Sequence, residues 1–133
     1  MASIYITTPI FYVNDLPHIG HAYTTMICDT IARFEKLDGK NVLFTTGTDE
    51  HGLKVEKASK ENGKEPKAFV DEVSENFKNL TENLGIINTD FIRTTEERHK
   101  VSASYFWKKL CDNNQIYKSN YSGWYSVKDE SFY

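Results

Sequence analysis

Two histidines three residues apart, His18 and His21, have side chains that could do chemistry together. They lie where a strand-like run that ends at Pro9 gives way to a helix-like run. At a helix N-terminus, unpaired N–H groups and the positive end of the dipole favour a phosphate. Residues at this spacing share one face of the first turn, and Gly20 between them leaves the backbone open to a flat ring such as a nucleobase.

The same spacing is open to blander interpretations. A histidine pair at i and i+3 also fits half of a metal site, or two unrelated surface residues. The strand-to-helix position favours a ligand site, because open α/β sheets bind ligands at the carboxyl ends of their strands.

A carboxylate, Asp49, follows a second strand-like run over 41–46. If the two strands are parallel, their carboxyl ends lie at the same edge of the sheet, and Asp49 opens toward the histidines. A carboxylate there can pair with an ammonium group through a charge-assisted hydrogen bond. The structural alternative is that Asp49 is the N-cap of a helix that starts at Glu50.

The elements that must position these residues form a β-α-β unit. The β-branched and aromatic run 3–8 predicts a buried strand that stops at Pro9, which lacks an N–H. From His21 onward, apolar residues at alternating spacings of three and four predict a helix that ends near Asp38 and Gly39. With the strand over 41–46, this predicts parallel strands joined by a right-handed crossover.

The rest of the chain predicts further helices and a change of character near residue 114. The predicted elements are a helix over 52–62, a helix from Pro66 to Gly85, a short strand or extended link over 90–93, a helix to about Asp112 that begins with a capping box of Thr94 and Glu97, and a β-hairpin of 116–118 with 123–126. We expect one domain portion over 1–113 and another over 114–133.

Composition narrows the class of protein. The chain has 133 residues, of which 39% are hydrophobic and 14% aromatic, so a disordered chain is excluded. The formal net charge of −3 argues against a nucleic-acid-binding surface within these 133 residues. No apolar run approaches the roughly 18 residues of a membrane span, so we expect a cytoplasmic protein. Cys28 and Cys111 both fall in helical patterns, which predicts two buried, reduced thiols.

Two motifs together resemble a known enzyme family. His18-Ile19-Gly20-His21 is similar to the HIGH signature of class I aminoacyl-tRNA synthetases, and 46–52, which reads Thr-Gly-Thr-Asp-Glu-His-Gly, resembles the bacterial-type methionyl-tRNA synthetases. The likeness continues through 91–100 and covers nearly the whole chain. It implies an α/β fold with a Rossmann-like parallel sheet and flanking helices, of which this chain would be the incomplete first half. The portion 114–133 would then begin the family's connective-peptide insertion.

The resemblance also implies roles for individual residues. His18 and His21 would be the catalytic histidines that contact the phosphates of ATP, supplied with Mg²⁺ as substrate. The implied ATP-binding residues are Asn14, His18, Gly20 and His21, and the implied methionine-binding residues are Ile10, Tyr12 and Asp49. Alternatives remain for two of them, since Asn14 could be a turn residue bonded to its own backbone and Tyr12 could be a core residue. Glu50 and His51 could order the loop or contact substrate.

Some family features are absent or altered. Lys57-Ala58-Ser59-Lys60 resembles the family's lysine-rich loop, but it lies on a predicted helix and too early in the chain to serve as one. Where many relatives begin a zinc knuckle with two cysteines, this chain has Ser126 and Asp129, so we predict no zinc there and no metal site. A fragment of a methionine–tRNA ligase, inactive alone and dependent on other regions for tRNA(Met), is the leading hypothesis. The alternative is a non-catalytic, truncated synthetase module that binds a nucleotide or a partner.

Overall fold

The computed structural model describes residues 2–129 and 131–133, which contain both helices and parallel strands. The elements in chain order are β1 (Ser3–Thr7), β2 (Phe11–Tyr12), α1 (Ile19–Leu37), β3 (Asn41–Asp49), α2 (Leu53–Glu61), α3 (Pro66–Asn83), β4 (Asp90–Arg93), α4 (Glu97–Asp112), β5 (Tyr125–Ser126) and β6 (Ser131–Phe132). By their contacts, residues divide into two compact units, 1–100 and 101–133. In the described part of the chain no helix is both long and apolar enough to cross a membrane.

Strand β3 is the centre of the parallel sheet in the first unit. β1 and β2 pair in succession with one edge of β3, and β4 pairs with the other edge. This arrangement confirms the predicted β-α-β unit and its parallel strands. The helices predicted over 52–62 and from Pro66 to Gly85 are present as α2 and α3. Of the two alternatives for 90–93, a short strand or an extended link, the strand is observed, as β4.

Helices α1, α2 and α3 all pack on one face of this sheet. Phe44 of β3 packs with Ala32 of α1 in one buried cluster. Phe91 of β4 packs against a second buried cluster, which contains side chains of α2 and α3. The register partner of Phe91 is Thr46, which lies on the same face of the sheet as Phe44. We call this the helical face and the opposite one, which carries Tyr5, Leu43 and Tyr12, the open face. Each of these three side chains is at least 42% exposed.

A one-residue bulge separates β1 from β2. Thr7 pairs with Thr45 and Phe11 pairs with Thr48, so four steps along one strand match three steps along the other. Such an insertion bends the strand and shifts the alternation of its side chains. As a result Phe11 points to the helical face, whereas Tyr12 shares the open face with Asp49.

Three strand predictions need correction. β1 is not buried, because its open-face side chains have no cover in the described chain and Tyr5 is 60% exposed. The second strand does not stop at residue 46 but continues to Asp49, since β2 and β4 hold its end from both sides. The predicted turn after Pro9 contains β2, which pairs with that extension. Gly47 is required there, because a Cβ would lie 1.9 Å from the carbonyl oxygen of Ile92.

The second unit contains the end of α4 and a hairpin of β5 with β6. The predicted hairpin was wrong in its strands, since 116–118 lie outside any strand and 125–126 pair with 131–132. The hydroxyl of Ser126 donates to the carboxylate of Asp129 at 2.7 Å, and this bond helps to close the observed turn. The prediction of two buried thiols was also wrong: Cys28 is half-buried and Cys111 is exposed, on a helix with no buried side chain.

Candidate active site

Helix α1 begins at the two histidines, and their own rings cap it. His18 is the N-cap, and its Nδ1 accepts the backbone N–H of Gly20 at 3.1 Å. The Nδ1 of His21 accepts the backbone N–H of His18 at 3.0 Å, which completes a reciprocal capping box. A capping box satisfies donors that the first helical turn would otherwise leave unpaired. Histidine performs here what serine and glutamate usually perform, so the sequence carried no standard capping signal.

This capping selects the tautomer of both rings. A neutral imidazole has one N–H donor and one acceptor nitrogen. Because each Nδ1 accepts a hydrogen bond, the proton of each neutral ring resides on Nε2. Among residues 2–129 and 131–133, neither Nε2 has a hydrogen-bond partner. The start of α1 therefore presents two outward N–H donors of the kind that an oxygen-rich anion accepts.

Aromatic contacts hold the two rings in place. The His18 and His21 rings stack with centroids 3.8 Å apart. His21 also meets Phe11 of β2 edge to face at 4.8 Å and Phe77 of α3 at 5.0 Å. Phe77 is fully buried in the cluster between α3 and the sheet. The orientation of His21 is thus fixed by the core, through residues whose sequence pattern indicated packing alone.

Partial burial lowers the pKa of His21, and the neighbouring His18 lowers it further. The unfolded value is about 6.5, so between the lowered pKa and about pH 6.5 the unfolded chain binds more protons than the folded one. Stability should therefore rise with pH through this window, be complete above about pH 6.5, and decline as pH falls. Urea unfolding of the chain at several pH values measures this slope. A His21→Asn chain should show a smaller slope, and an unchanged slope would contradict the assignment.

Gly20 makes room for the cap. A Cβ at this position would lie 2.9 Å from Cε1 of His18, so alanine would push the ring away from the backbone N–H that it accepts. In Gly20→Ala, the loss of the N-cap bond, usually worth about 1 kcal/mol, should offset a helix-propensity gain of similar size, so we expect little net change in stability. In a His18→Ala background, where no ring is displaced, the same change should be stabilising. Urea unfolding of the four chains measures both effects, and equal effects in both backgrounds would refute the role of the ring.

A cavity of about 310 Å³ opens beside the histidines. The lining residues are Tyr12, Asn14, Asp15, Leu16, His18 and His21. Four of these were predicted site residues, and the structure brings them together. No hydrogen bond of the Asn14 side chain is present in the described part of the chain, so the alternative of a turn residue bonded to its own backbone is not observed. Tyr12 is 42% exposed, which excludes the core alternative.

Asp49 lies beside Tyr12 as its register partner on the open face. It is not a helix N-cap, because α2 begins at Leu53 and its N-cap is Gly52. One carboxylate oxygen of Asp49 accepts the backbone N–H of His51 at 3.3 Å. Ile10, the remaining predicted site residue, lines a different cavity of about 160 Å³ together with Tyr5 and Thr45.

Thr94 serves this site rather than the helix it was predicted to cap. Its hydroxyl oxygen accepts the backbone N–H of Glu50 at 2.9 Å and lies 3.0 Å from Nδ1 of His51. The predicted capping box with Glu97 is therefore wrong, and the first turn of α4 instead bonds back to the carbonyl of Glu96. Sequence reasoning missed Thr94 as a site residue because its spacing from Glu97 has a simpler local explanation.

Comparisons with known proteins agree with this geometry. A model of the family described as tRNA synthetases class I (M) matches residues 4–133. The chain is 58% identical over 129 residues to a protein of Rickettsia bellii named methionine–tRNA ligase, covering 97% of this chain and 25% of that one. It is 54% identical to a mitochondrial methionine–tRNA ligase of Takifugu rubripes, with 96% and 22% covered. The chain therefore spans about a quarter of the length of the curated relatives it matches.

A solved structure extends the likeness to three dimensions. The methionyl-tRNA synthetase of Mycobacterium tuberculosis, crystallised with bound methionyl-adenylate, superposes with a TM-score of 0.93 at 45% identity. The match covers 98% of this chain and 26% of that one. With a family model that matches nearly every residue, and with both predicted motifs at the ends of neighbouring parallel strands, the chain belongs to the class I tRNA synthetases of the methionyl type.

Proposed function

We propose that this chain forms the first part of the site at which a methionine–tRNA ligase joins methionine to ATP. The observation that carries the proposal is the juxtaposition of two outward Nε2 donors, from His18 and His21, with the Tyr12–Asp49 pair at the end of β3. The first pair suits phosphate oxygens, and the second offers a carboxylate for an amino acid's ammonium group. In this reaction the carboxylate of methionine attacks the α-phosphorus of ATP, and pyrophosphate leaves.

The catalytic work assigned to the two histidines is charge stabilisation. As negative charge shifts toward the departing pyrophosphate, the Nε2–H groups of His18 and His21 donate to its oxygens. Donors that are already oriented cost no reorganisation during the reaction. Gly20 keeps the His18 ring in its capping position, and Asn14, on the wall of the same cavity, contacts the nucleotide. Mg²⁺ arrives with ATP as part of the substrate.

Methionine binding falls to residues of the open face. The carboxylate of Asp49 pairs with the methionine ammonium, and the Tyr12 ring beside it covers the substrate. Ile10, 54% exposed, supplies apolar surface to the methionine side chain. These roles place methionine on the open face and the phosphates at the start of α1, with Tyr12 between them.

The two portions of the chain, 1–113 and 114–133, have different roles in this proposal. We assign 1–113 to the first half of the catalytic domain and 114–133 to the start of the connective-peptide insertion. Ser126 and Asp129 satisfy each other in the β5–β6 turn, which supports the absence of a zinc site at this pair. Contacts with tRNA(Met) fall to other regions of the ligase, and a cytoplasmic location stays a prediction.

A chimaera tests the activity. In it, this chain replaces the corresponding segment of the Rickettsia bellii ligase, to which it is 58% identical. Methionine-dependent exchange of pyrophosphate into ATP should be retained, and leucine or valine should not replace methionine. No exchange by a folded chimaera, or exchange with another amino acid, would overturn the proposal.

The alternative function is a truncated synthetase module that binds a nucleotide without ligation. One observation favours it: in the described chain the single stretch similar to the lysine-rich loop, Lys57 to Lys60, is part of α2, with Lys60 paired to Glu56. A chimaera that binds ATP in equilibrium dialysis but performs no exchange would select this alternative.

A further inference from the structure

A buried carboxylate, Glu50, lies directly after the proposed methionine-binding residue Asp49. Its side chain has no solvent exposure, and it points to the helical face, opposite to Asp49. An ionised carboxylate at such a position is costly unless charged and hydrogen-bonding partners compensate it. Thr48 donates to one carboxylate oxygen at 2.9 Å, and Thr95 donates to the other.

Arg93, at the end of β4, supplies the compensating charge. Its Nε donates to one oxygen of Glu50 at 2.6 Å, and its Nη2 donates to the other at 3.0 Å. Such a two-pronged pair fixes direction as well as distance. Nη2 also donates to Asp71 of α3, whose pKa is lowered by bonds from Lys67 and from Arg93. The side chain of Arg93 therefore ties the end of β3 to α3.

The backbone on both sides of Asp49 is held by the same neighbourhood. The N–H of Glu50 donates to the hydroxyl of Thr94, and the N–H of Thr94 donates to the carbonyl of Thr48 at 3.2 Å. The carbonyl of Asp49 accepts the N–H of Val13 at 3.4 Å. These bonds come from Val13, directly after β2, and from Thr94, directly after β4, so the backbone on both sides of the Asp49 carboxylate is held by neighbouring segments.

We propose that the Glu50–Arg93 pair is the positioning device of the methionine site: Arg93, which contacts no substrate, holds the end of β3 so that the Asp49 carboxylate meets the methionine ammonium. This inference rests on the proposed role of Asp49 and adds Glu50 and Arg93 as positioning residues. Its distinguishing consequence is a loss confined to methionine. The ATP side of the site is fixed by the histidine cap and by Phe11 and Phe77. Among residues 2–129 and 131–133, neither histidine forms a hydrogen bond or an ion pair with Glu50 or Arg93.

The test measures the KM of each substrate by pyrophosphate exchange in the chimaera described above. Arg93→Met should raise the KM of methionine by up to about 100-fold, the loss that a misplacement of a binding group by about 1 Å can cause. The KM of ATP should change little. Glu50→Gln should behave in the same way. The double variant should be no worse than either single variant, because residues that act through one interaction are not additive.

Two further variants separate positioning from general damage to the fold. Arg93→Lys keeps the charge beside Glu50 but loses the fork, so the methionine KM should fall between those of the wild type and Arg93→Met. Arg98→Met is the matched control, because Arg98 forms its ion pairs with Asp90 and Glu96 at an exposed surface. It should keep the wild-type KM for both substrates.

The outcomes separate the two proposals. A wild-type chimaera without methionine-dependent exchange would overturn the proposed function itself. An active wild type in which Arg93→Lys and Glu50→Gln leave the methionine KM unchanged would overturn the positioning role alone. Equal rises in the KM of methionine and ATP, or additive effects in the double variant, would also overturn it, because they indicate damage to the whole site.

Discussion

His21→Asn is expected to lower the rate of methionine-dependent pyrophosphate exchange by about 10²–10³-fold, with little change in the KM of methionine. The asparagine oxygen can occupy the position of Nδ1 and still accept the N–H of His18, but no donor remains at the position of Nε2. The loss should therefore appear in kcat while the helix cap survives. Steady-state exchange in the chimaera measures the rate, and urea unfolding measures the cap.

The control variant keeps a donor near the position of Nε2 and removes the acceptor at Nδ1. His21→Gln places an amide N–H near the position of Nε2 but removes the acceptor of the cap. It should retain more activity than the asparagine variant while unfolding at a lower urea concentration. Equal activity of the two variants would show that the Nε2 donor of His21 does not serve the reaction.

Asp49→Asn is expected to weaken methionine binding by about 10- to 100-fold, since a hydrogen bond to a charged group contributes about 1.5–3 kcal/mol. The amide keeps the size of the side chain but cannot pair with the methionine ammonium as a carboxylate does. Unlike the His21 change, this substitution should act chiefly on the KM of methionine. Calorimetric titration of the chimaera with methionine gives the binding constant directly.

Asp38→Asn provides the matched control for this effect. Asp38 lies at the end of α1 and forms an exposed ion pair with Lys40, just before the start of β3, whereas Asp49 lies at the other end of that strand. Exposed pairs of this kind contribute little to stability. Methionine affinity should therefore be unchanged in Asp38→Asn, and an equal loss in both variants would point to net charge rather than to the Asp49 carboxylate.

The local elements of the first unit were predictable because their signals are local. The stripe of apolar residues in α1, Pro66 at the start of α3, and Gly85 with a positive φ after it all act within a few residues. The position of the two histidines at the start of α1 was predicted for the same reason. The family resemblance then supplied a function that periodicity alone cannot supply.

The missed features depend on residues that are distant in sequence. The position of Thr94 before a helix fits an N-cap, but its hydroxyl instead accepts the backbone N–H of Glu50. Only the tertiary fold decides between these two roles. The extension of β3 to Asp49 requires neighbours on both of its edges. The apolar stripe of α3 likewise predicts Phe77 as a core residue, but it does not indicate that the Phe77 ring also supports the His21 ring.

The bulge between β1 and β2 decides which side chains build the site. If the chain kept its length and paired regularly beyond Thr7, Ile10 would lie opposite Thr48 and Phe11 opposite Asp49. The support of His21 and the tyrosine beside Asp49 would then both be lost in a single step. The extra residue between Thr7 and Phe11 therefore acts through the backbone, and substitutions at 8–10 that keep the bulge should leave the faces of Phe11 and Tyr12 unchanged.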